Sequence, residues 1–376
     1  MDFLEICLNA VVTIRYPPGR LATTERPELV SSGAGLAATV AVESRGELGD
    51  AESPVRARGY WEQVWRRFRR DRVAIAGGVF IVVLVVGAFA GGPLAAWALG
   101  HGPNDIFPSG ISATSLLPVG PWSWVSKAPY AGAVGHFGHT LFILGADGTT
   151  GRDEFLRLLY GAQVSLEVAF FATVTGMVIG VTMGAAAGYF GGTTDTLVSR
   201  LTEMVMAFPV LLFAIALAST VGPQVNGITL GFLGPGVVAL VIVIGCFSWF
   251  YPARIIRAQV LSLREKEFVE AARMTGASDL RIIRSHLLPH LVAPIIVYST
   301  LVFAQNILLE AGLSFLGVGI RVPTSSWGTL LATAPEFYLT QPWLMLWPGI
   351  AVLLTTLAFN LLGDGLRDAF DPRSSH

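Results

Sequence analysis

Side chains able to hold a metal, a phosphate or a mobile proton are few in this chain. His286 and His290 stand four residues apart, a spacing that sets two imidazoles on one face of a continuous helix, where they could hold a metal ion. Pro289 lies between them and is expected to interrupt that helix, and no third ligand stands nearby, so no metal site is expected. The two cysteines are Cys7 and Cys246, and Cys246 sits inside an apolar run, so neither a disulfide framework nor a cysteine metal cluster follows. The lysines are Lys127 and Lys266 alone, and neither follows a glycine. A G-x-x-x-x-G-K-[ST] loop, whose backbone amides would cradle a phosphate, is therefore excluded, and any nucleotide that drives this protein binds another chain. Arg152 and Asp153 are adjacent and are expected to form a local ion pair on an outer face. Neither a Ser/His/Asp set nor a carboxylate pair can be placed on one surface, so no catalytic residue is expected and the chain is read as no enzyme.

The elements around these groups belong to a membrane. Hydrophobic residues make up 53% of the 376 and charged residues 14%, against about 25% charged in a soluble domain. Residues 1–55 read as a disordered extension, broken by Pro17, Pro18, Gly19, Pro27 and Gly33. The stretch MDFLEICLNAVV is too short to span and has no basic residue ahead of it, so it is not expected to be a signal peptide. A start of the working protein near Val55 is an alternative.

Residues 56–72 form a basic lead-in with Arg66, Arg67, Arg69, Arg70 and Arg72, directly before an apolar run at 73–99. Such a cluster is retained on the cytoplasmic side and sets the N-terminus inside. A loop at 100–160, rich in Gly, Pro, Trp and His, then falls outside. The core, 161–363, carries five more spans, at about 165–189, 201–221 (broken at Pro209), 237–256, 291–316 and 343–362. YFGGTTDTLVSR is expected to be a short inner turn, and 364–376 a cytoplasmic tail. Six spans place Arg254, Arg257, Arg264, Lys266, Arg273, Arg281 and Arg284 in one inner loop and leave Arg321 outside, in keeping with the positive-inside bias.

Within the second span Gly176, Gly180, Gly184 and Gly188 recur every fourth residue. They make one smooth face on which another backbone can approach, whether from this chain or a partner. Trp122, Trp124 and Trp327 fit an aromatic belt or an outer contact surface. Glu310 falls near the outer end of the fifth span, where an interfacial brace is expected rather than a ligand for a solute.

The inner loop at about 262–289 is the longest stretch of the middle of the chain that water would tolerate. It holds Glu270-Ala271-Ala272, then Gly276, Asp279 and Leu288-Pro289. Alanines let a partner surface come close, Glu270 suits a helix N-terminus, and Gly276 permits a sharp turn between two short helices. Pro289 is expected to end the second of them.

That spacing, E-A-A, three residues, G, nine residues, an aliphatic, any residue, then L-P, resembles the EAA loop of permeases in ATP-binding-cassette importers. His286 stands at the aliphatic position, as in the peptide branch of that family. LGADGTTGRDEFLRLLYGAQVSL, GAAAGYFGG with AFPVLLFAIAL, EAGLSFLGVGIRVPTSSWGTLL and AFNLLGDGLRDAFDPR are similar, in order, to segments of dipeptide and oligopeptide permeases. RRFRRDRVAIAG resembles the start of their second, C-type subunit, and Ala146 departs from the T-D-x-x-G-R-D turn usual there. The resemblance spans residues 61–373. It implies an all-α polytopic protein with six transmembrane helices, the type I importer permease fold, and half of a translocation pathway for di- or oligopeptides. It also implies a B-type second permease, two ATPase subunits or one fused ATPase, and an extracytoplasmic binding protein. ATP and Mg would bind the ATPases, with no cofactor in this chain. By the same resemblance Glu270, Ala271, Ala272, Gly276, Asp279, Leu288 and Pro289 are the ATPase-coupling residues. A nickel or other small-solute importer is the alternative within the family. An intramembrane protease would need a catalytic set inside the spans. An ion-driven transporter would show ionisable residues near the midplane, where these spans are almost bare.

Overall fold

The computed structural model describes residues 60–128, 137–148, 150–225 and 236–371; the extension at 1–55 lies outside them. The described residues are mostly helical. An amphipathic helix, α1 (Tyr60–Phe68), precedes α2 (Arg72–Leu99). The Asp71 carboxylate caps α2 by accepting from the Val73 and Ala74 amides, which closes off two of the orphan donors at its start. A π-turn at Gly87–Gly91 interrupts the regular pitch of α2.

The long helix α3 (Glu154–Phe190) begins about 11 residues ahead of the expected span and therefore stands well clear of a ~30 Å hydrocarbon layer on its outer side. After it come α4 (Gly192–Met206) and α5 (Val210–Val225), bent by 90° at the break between them. The expected inner turn is thus a fifteen-residue helix. Pro209 has no amide to donate and disfavours helical dihedrals at Phe208, so the chain turns there. α6 (Val237–Leu263) is kinked at Trp249, where Pro252 removes the hydrogen bond that Ser248 would accept. A short helix α7 (Glu267–Met274) leads to α8 (Asp279–Phe315). Pro289 does not end a helix, contrary to the sequence expectation. A π-segment at Ile282–Leu287 shifts the backbone pairing just ahead of it, so the proline opens the next α-helical stretch, where its missing amide costs little. Finally α9 (Trp327–Thr333) and α10 (Trp343–Phe370) complete the core.

Pairings among the helices fix their directions. On α3, Gly176 meets Ser248 and Gly188 meets Val260, so α3 and α6 run parallel. Two parallel crossings require an odd number of crossings between them, and α5 supplies that crossing. It lies antiparallel to α6, with the Phe213 and Phe247 rings 4.9 Å apart and Ala218 near Leu240. α8 runs against α3, α10 against α8 through Phe303 stacked on Phe359 at 4.0 Å, and α2 against α10 where Gly77 meets Ala358. Five helices pass as spans on their own, and the bent pair makes the sixth.

The loop at 100–160 carries a small folded unit. Strands β1 (Ser123–Ser126) and β2 (His139–Phe142) pair antiparallel, with Phe107, Val125, Phe142 and Ala146 in its core. Asp153 caps α3 and also contacts the buried His101 ring at 3.0 Å; the expected Arg152–Asp153 pair does not form. Consecutive side chains leave the backbone in different directions, and burial turns Asp153 toward the helix start and the imidazole. Asp147 pairs with Arg157 instead, at 3.2 Å.

Candidate functional site

The elbow that α7 makes with the start of α8 is built by amphipathic geometry. On α7, Val269 and Ala272 point inward one turn apart, and Ile282, Leu287 and Leu291 do so on α8. They close on Ala185 and Tyr189 of α3 and on Ile256 and Val260 of α6. Gly276 sits between α7 and α8 at φ +79°, a left-handed conformation that a β-carbon disfavours. No heavy atom lies within 4 Å of the place a Cβ would take, so backbone shape rather than crowding calls for glycine here.

Polar contacts pin the elbow to the end of α3. The Tyr189 hydroxyl donates to Asp279 at 2.6 Å. The Arg273 guanidinium lies over the Tyr189 ring, 5.4 Å from its centroid. Arg264 donates to the carbonyls of Gly188 and Tyr189, which lie in the last turn of α3 and lack helical partners. Asp195 of α4 pairs with Arg257 of α6, tying the neighbouring corner. The elbow is thus joined to α3 and α6 by packed side chains and charge-assisted bonds.

The coupling residues named from sequence divide between two faces. Glu270, Ala271, Gly276, Asp279 and Pro289 are exposed, Leu288 is half-buried, and Ala272 is buried against the cluster. Ala272 thus packs inward, and Ala271 alone of the alanine pair is free to admit a partner. Two residues that sequence reasoning passed over stand out at the tip, Met274 at 84% and Leu280 at 61% exposed. Their signal was available as apolar residues on either side of Gly276, off the inward register of Val269 and Ala272.

The glycines of α3 form the seam with α6. A Cβ at Gly180 would lie 2.7 Å from both the Trp249 carbonyl oxygen and Pro252 Cβ, and Gly184 abuts the Ala253 carbonyl. Toward the outer side, Glu310 is fully buried. It accepts from Ser165 of α3 and Ser314 of its own helix, each at 2.8 Å. Glu310 thus braces α3 against α8, with its carboxylate buried between the helices. Trp327, expected in an aromatic belt or on an outer contact surface, is 1% exposed and donates to the Leu158 carbonyl, because α9 folds back onto α3 and α8. A capping box of Ser326 and Thr329 starts α9, and its S-x-x-T spacing is legible in the sequence. Trp122 and Trp124 remain exposed. The His290 ring packs against Phe268, with centroids 5.1 Å apart.

Comparison with known proteins gives this arrangement a family. Residues 176–376 match the model of the binding-protein-dependent transport system inner membrane component, and residues 59–117 match the N-terminal TM domain of oligopeptide transport permease C. This chain belongs to the binding-protein-dependent transport system inner membrane components. Two similar proteins are a dipeptide transport system permease protein of Alkalihalophilus pseudofirmus and a glutathione transport system permease protein of Pectobacterium atrosepticum. The first is 35% identical, across 83% of this chain and 90% of the relative. The second is 36% identical, across 83% and 91%. A MetNI methionine ABC transporter structure overlays at a TM-score of 0.46 with 18% identity, covering 58% of this chain and 97% of that one. The permease is a mostly helical, multi-pass membrane subunit of its family. It is a transporter subunit and not an enzyme, and ATP hydrolysis belongs to separate subunits. As a family member it works within an importer that also has a second permease, ATPases and a substrate-binding protein.

Proposed function

We propose that this permease forms half of the translocation pathway for di- or oligopeptides and couples to the cytosolic ATPases through the elbow at 267–289. The observation that carries the reading is the two-sided build of that elbow. One side is packed into α3 and α6, and the other offers Glu270, Ala271, Met274 and Leu280 to a partner. An exposed apolar tip beside charged residues suits a cleft on a soluble partner, and its packed side passes displacement to the spans. ATP-driven closure of the ATPases draws the elbow toward its counterpart on a B-type second permease and turns the pathway outward. The two states must differ in contact free energy at the elbow for anything to be transmitted. Glu270, Ala271, Gly276, Asp279, Leu288 and Pro289 shape the docking surface, and Ala272 holds it to the core.

Small-peptide cargo is supported by the names of the relatives, dipeptide in one and glutathione in another. The ATPases, as two chains or one fused, hold ATP and Mg, and an extracytoplasmic binding protein delivers the peptide. Both termini lie in the cytoplasm. In support, the Arg67 guanidinium donates to the Asp371 carbonyl and Trp61 packs on Phe370, so α1 and the end of α10 share one side.

Gly276→Pro tests the coupling. Proline fixes φ near −65° and cannot adopt the +79° seen here. Peptide uptake into whole cells is expected to be lost while membrane insertion persists; unchanged uptake would refute the docking role.

A further inference from the structure

Two large grooves open at membrane depth, and they differ in what they leave unsatisfied. The larger, between α2, α3 and α8, is about 840 Å³ and faces Phe89, Phe170, Val174 and Val178. Its acidic residue, Glu167, already accepts from Gln163 at 2.8 Å. Such a surface suits lipid. The smaller, about 490 Å³, lies between α5, α6 and α8, with Leu211, Phe247, Tyr251, Gln305 and Leu309 on its walls. Gln305 is exposed there, and its side chain makes no hydrogen bond among the described residues.

Depth makes that amide informative. Gln305 stands 14 residues beyond Leu291, about 21 Å along α8 at ~1.5 Å per residue, and so lies within a ~30 Å hydrocarbon layer, about two thirds of the way across it. The neighbouring Asn306 is buried and bonded through both ends of its amide, accepting from Ser248 at 2.6 Å and donating to Thr173 at 2.9 Å. The helices are thus already joined by Asn306, and Gln305 adds nothing to that joint. An amide facing hydrocarbon without a partner costs roughly 2 kcal/mol or more, so a lipid acyl chain is a poor occupant.

We propose that the groove around Gln305 is this subunit's wall of the translocation pathway and that the Gln305 amide bonds the backbone of a peptide in transit. The assignment rests on the peptide reading above. A side-chain amide both donates and accepts, which matches a peptide bond regardless of the side chains that flank it. The lining carries no charged residue, so it would neither trap nor repel particular peptides. Tyr251, also exposed, adds an aromatic wall across from it.

The test uses the importer assembled with its partner subunits in proteoliposomes, with Cys7 and Cys246 replaced by serine. Gln305→Cys is compared with Leu353→Cys, a position 63% exposed on α10. A water-soluble methanethiosulfonate is expected to modify the thiol of the Gln305→Cys variant and leave that of the Leu353→Cys variant untouched, with a transported dipeptide slowing the reaction several-fold. Two results would overturn the proposal. One is modification of the Gln305→Cys thiol by a lipid-soluble maleimide alone, which makes lipid the occupant. The other is resistance of that thiol to both reagents with efficient short-range cross-linking to the second permease. In uptake assays Gln305→Leu is expected to raise KM for dipeptide about tenfold, with Gln305→Asn between it and the parent; an unchanged KM in both would overturn the contact. Dipeptide uptake by the cysteine-free parent is scored separately. Its failure would remove the peptide reading, whereas labelling of the Gln305→Cys variant would still decide whether this groove is the wall.

Discussion

A methyl group on Gly180 would meet the Trp249 carbonyl and Pro252 at 2.7 Å, so the α3–α6 seam depends on a missing side chain. Lipid supplies no hydrophobic drive for helix pairing, and close backbone approach is what remains. Gly180→Leu is expected to force the helices apart at a cost of about 1–3 kcal/mol, read as a lower melting temperature of the detergent-purified permease. Glu310 acts at the same scale. Glu310→Ala leaves the Ser165 and Ser314 hydroxyls without their acceptor between packed helices. A loss of about 1–3 kcal/mol is expected in the same melting assay, and Glu310→Gln, which keeps an acceptor, should recover part of it. Tyr189→Phe removes one bond at the elbow and keeps the ring under Arg273. Its expected cost is about 1 kcal/mol. Peptide uptake should fall while the ATPases still co-purify, because the elbow stays in place and its tie to α3 loosens.

Among the elements, the elbow combines a hinge-like glycine with a rigid floor. Met274 and Leu280 flank Gly276 with their side chains in water, an arrangement that a solitary loop has no reason to keep. Met274→Asp with Leu280→Asp is expected to cut ATPase co-purification at least tenfold and leave the melting temperature of the permease unchanged, since neither residue joins the packed cluster. Co-purification at the parent level would remove the tip from the docking surface. The proline at 289 illustrates how an element can outlast its own breaker. A π-segment absorbs the missing amide, and the helix continues to Phe315. Only the hydrogen-bond pattern distinguishes that outcome from a helix that stops.

Over the whole molecule, the parallel course of α3 and α6 settles the crossing count between them at an odd number, and α5 is the segment that supplies it. Single cysteines at Met274 and at exposed Trp124 should therefore label from opposite faces of oriented membrane vesicles, Trp124→Cys from the outside. Labelling of both from one face would overturn the topology.

Long apolar runs and five arginines ahead of the first of them were enough to read a polytopic helical membrane protein, because hydrophobic length and charge asymmetry act locally along a chain, and the ordered phrases from 61 to 373 carried the resemblance to a permease family. The E-A-A…G spacing marked the elbow, and the fourfold glycine repeat marked a close-approach face. What a linear pattern could not carry was pairing across distance. Tyr189 with Asp279, Ser165 with Glu310 and Thr173 with Asn306 join residues 90, 145 and 133 positions apart. The inward turn of Ala272, the burial of Trp327 and the choice of His101 rather than Arg152 as the partner of Asp153 were decided in the same way. Each depends on which surface arrives opposite a side chain, and that is settled only when the helices pack.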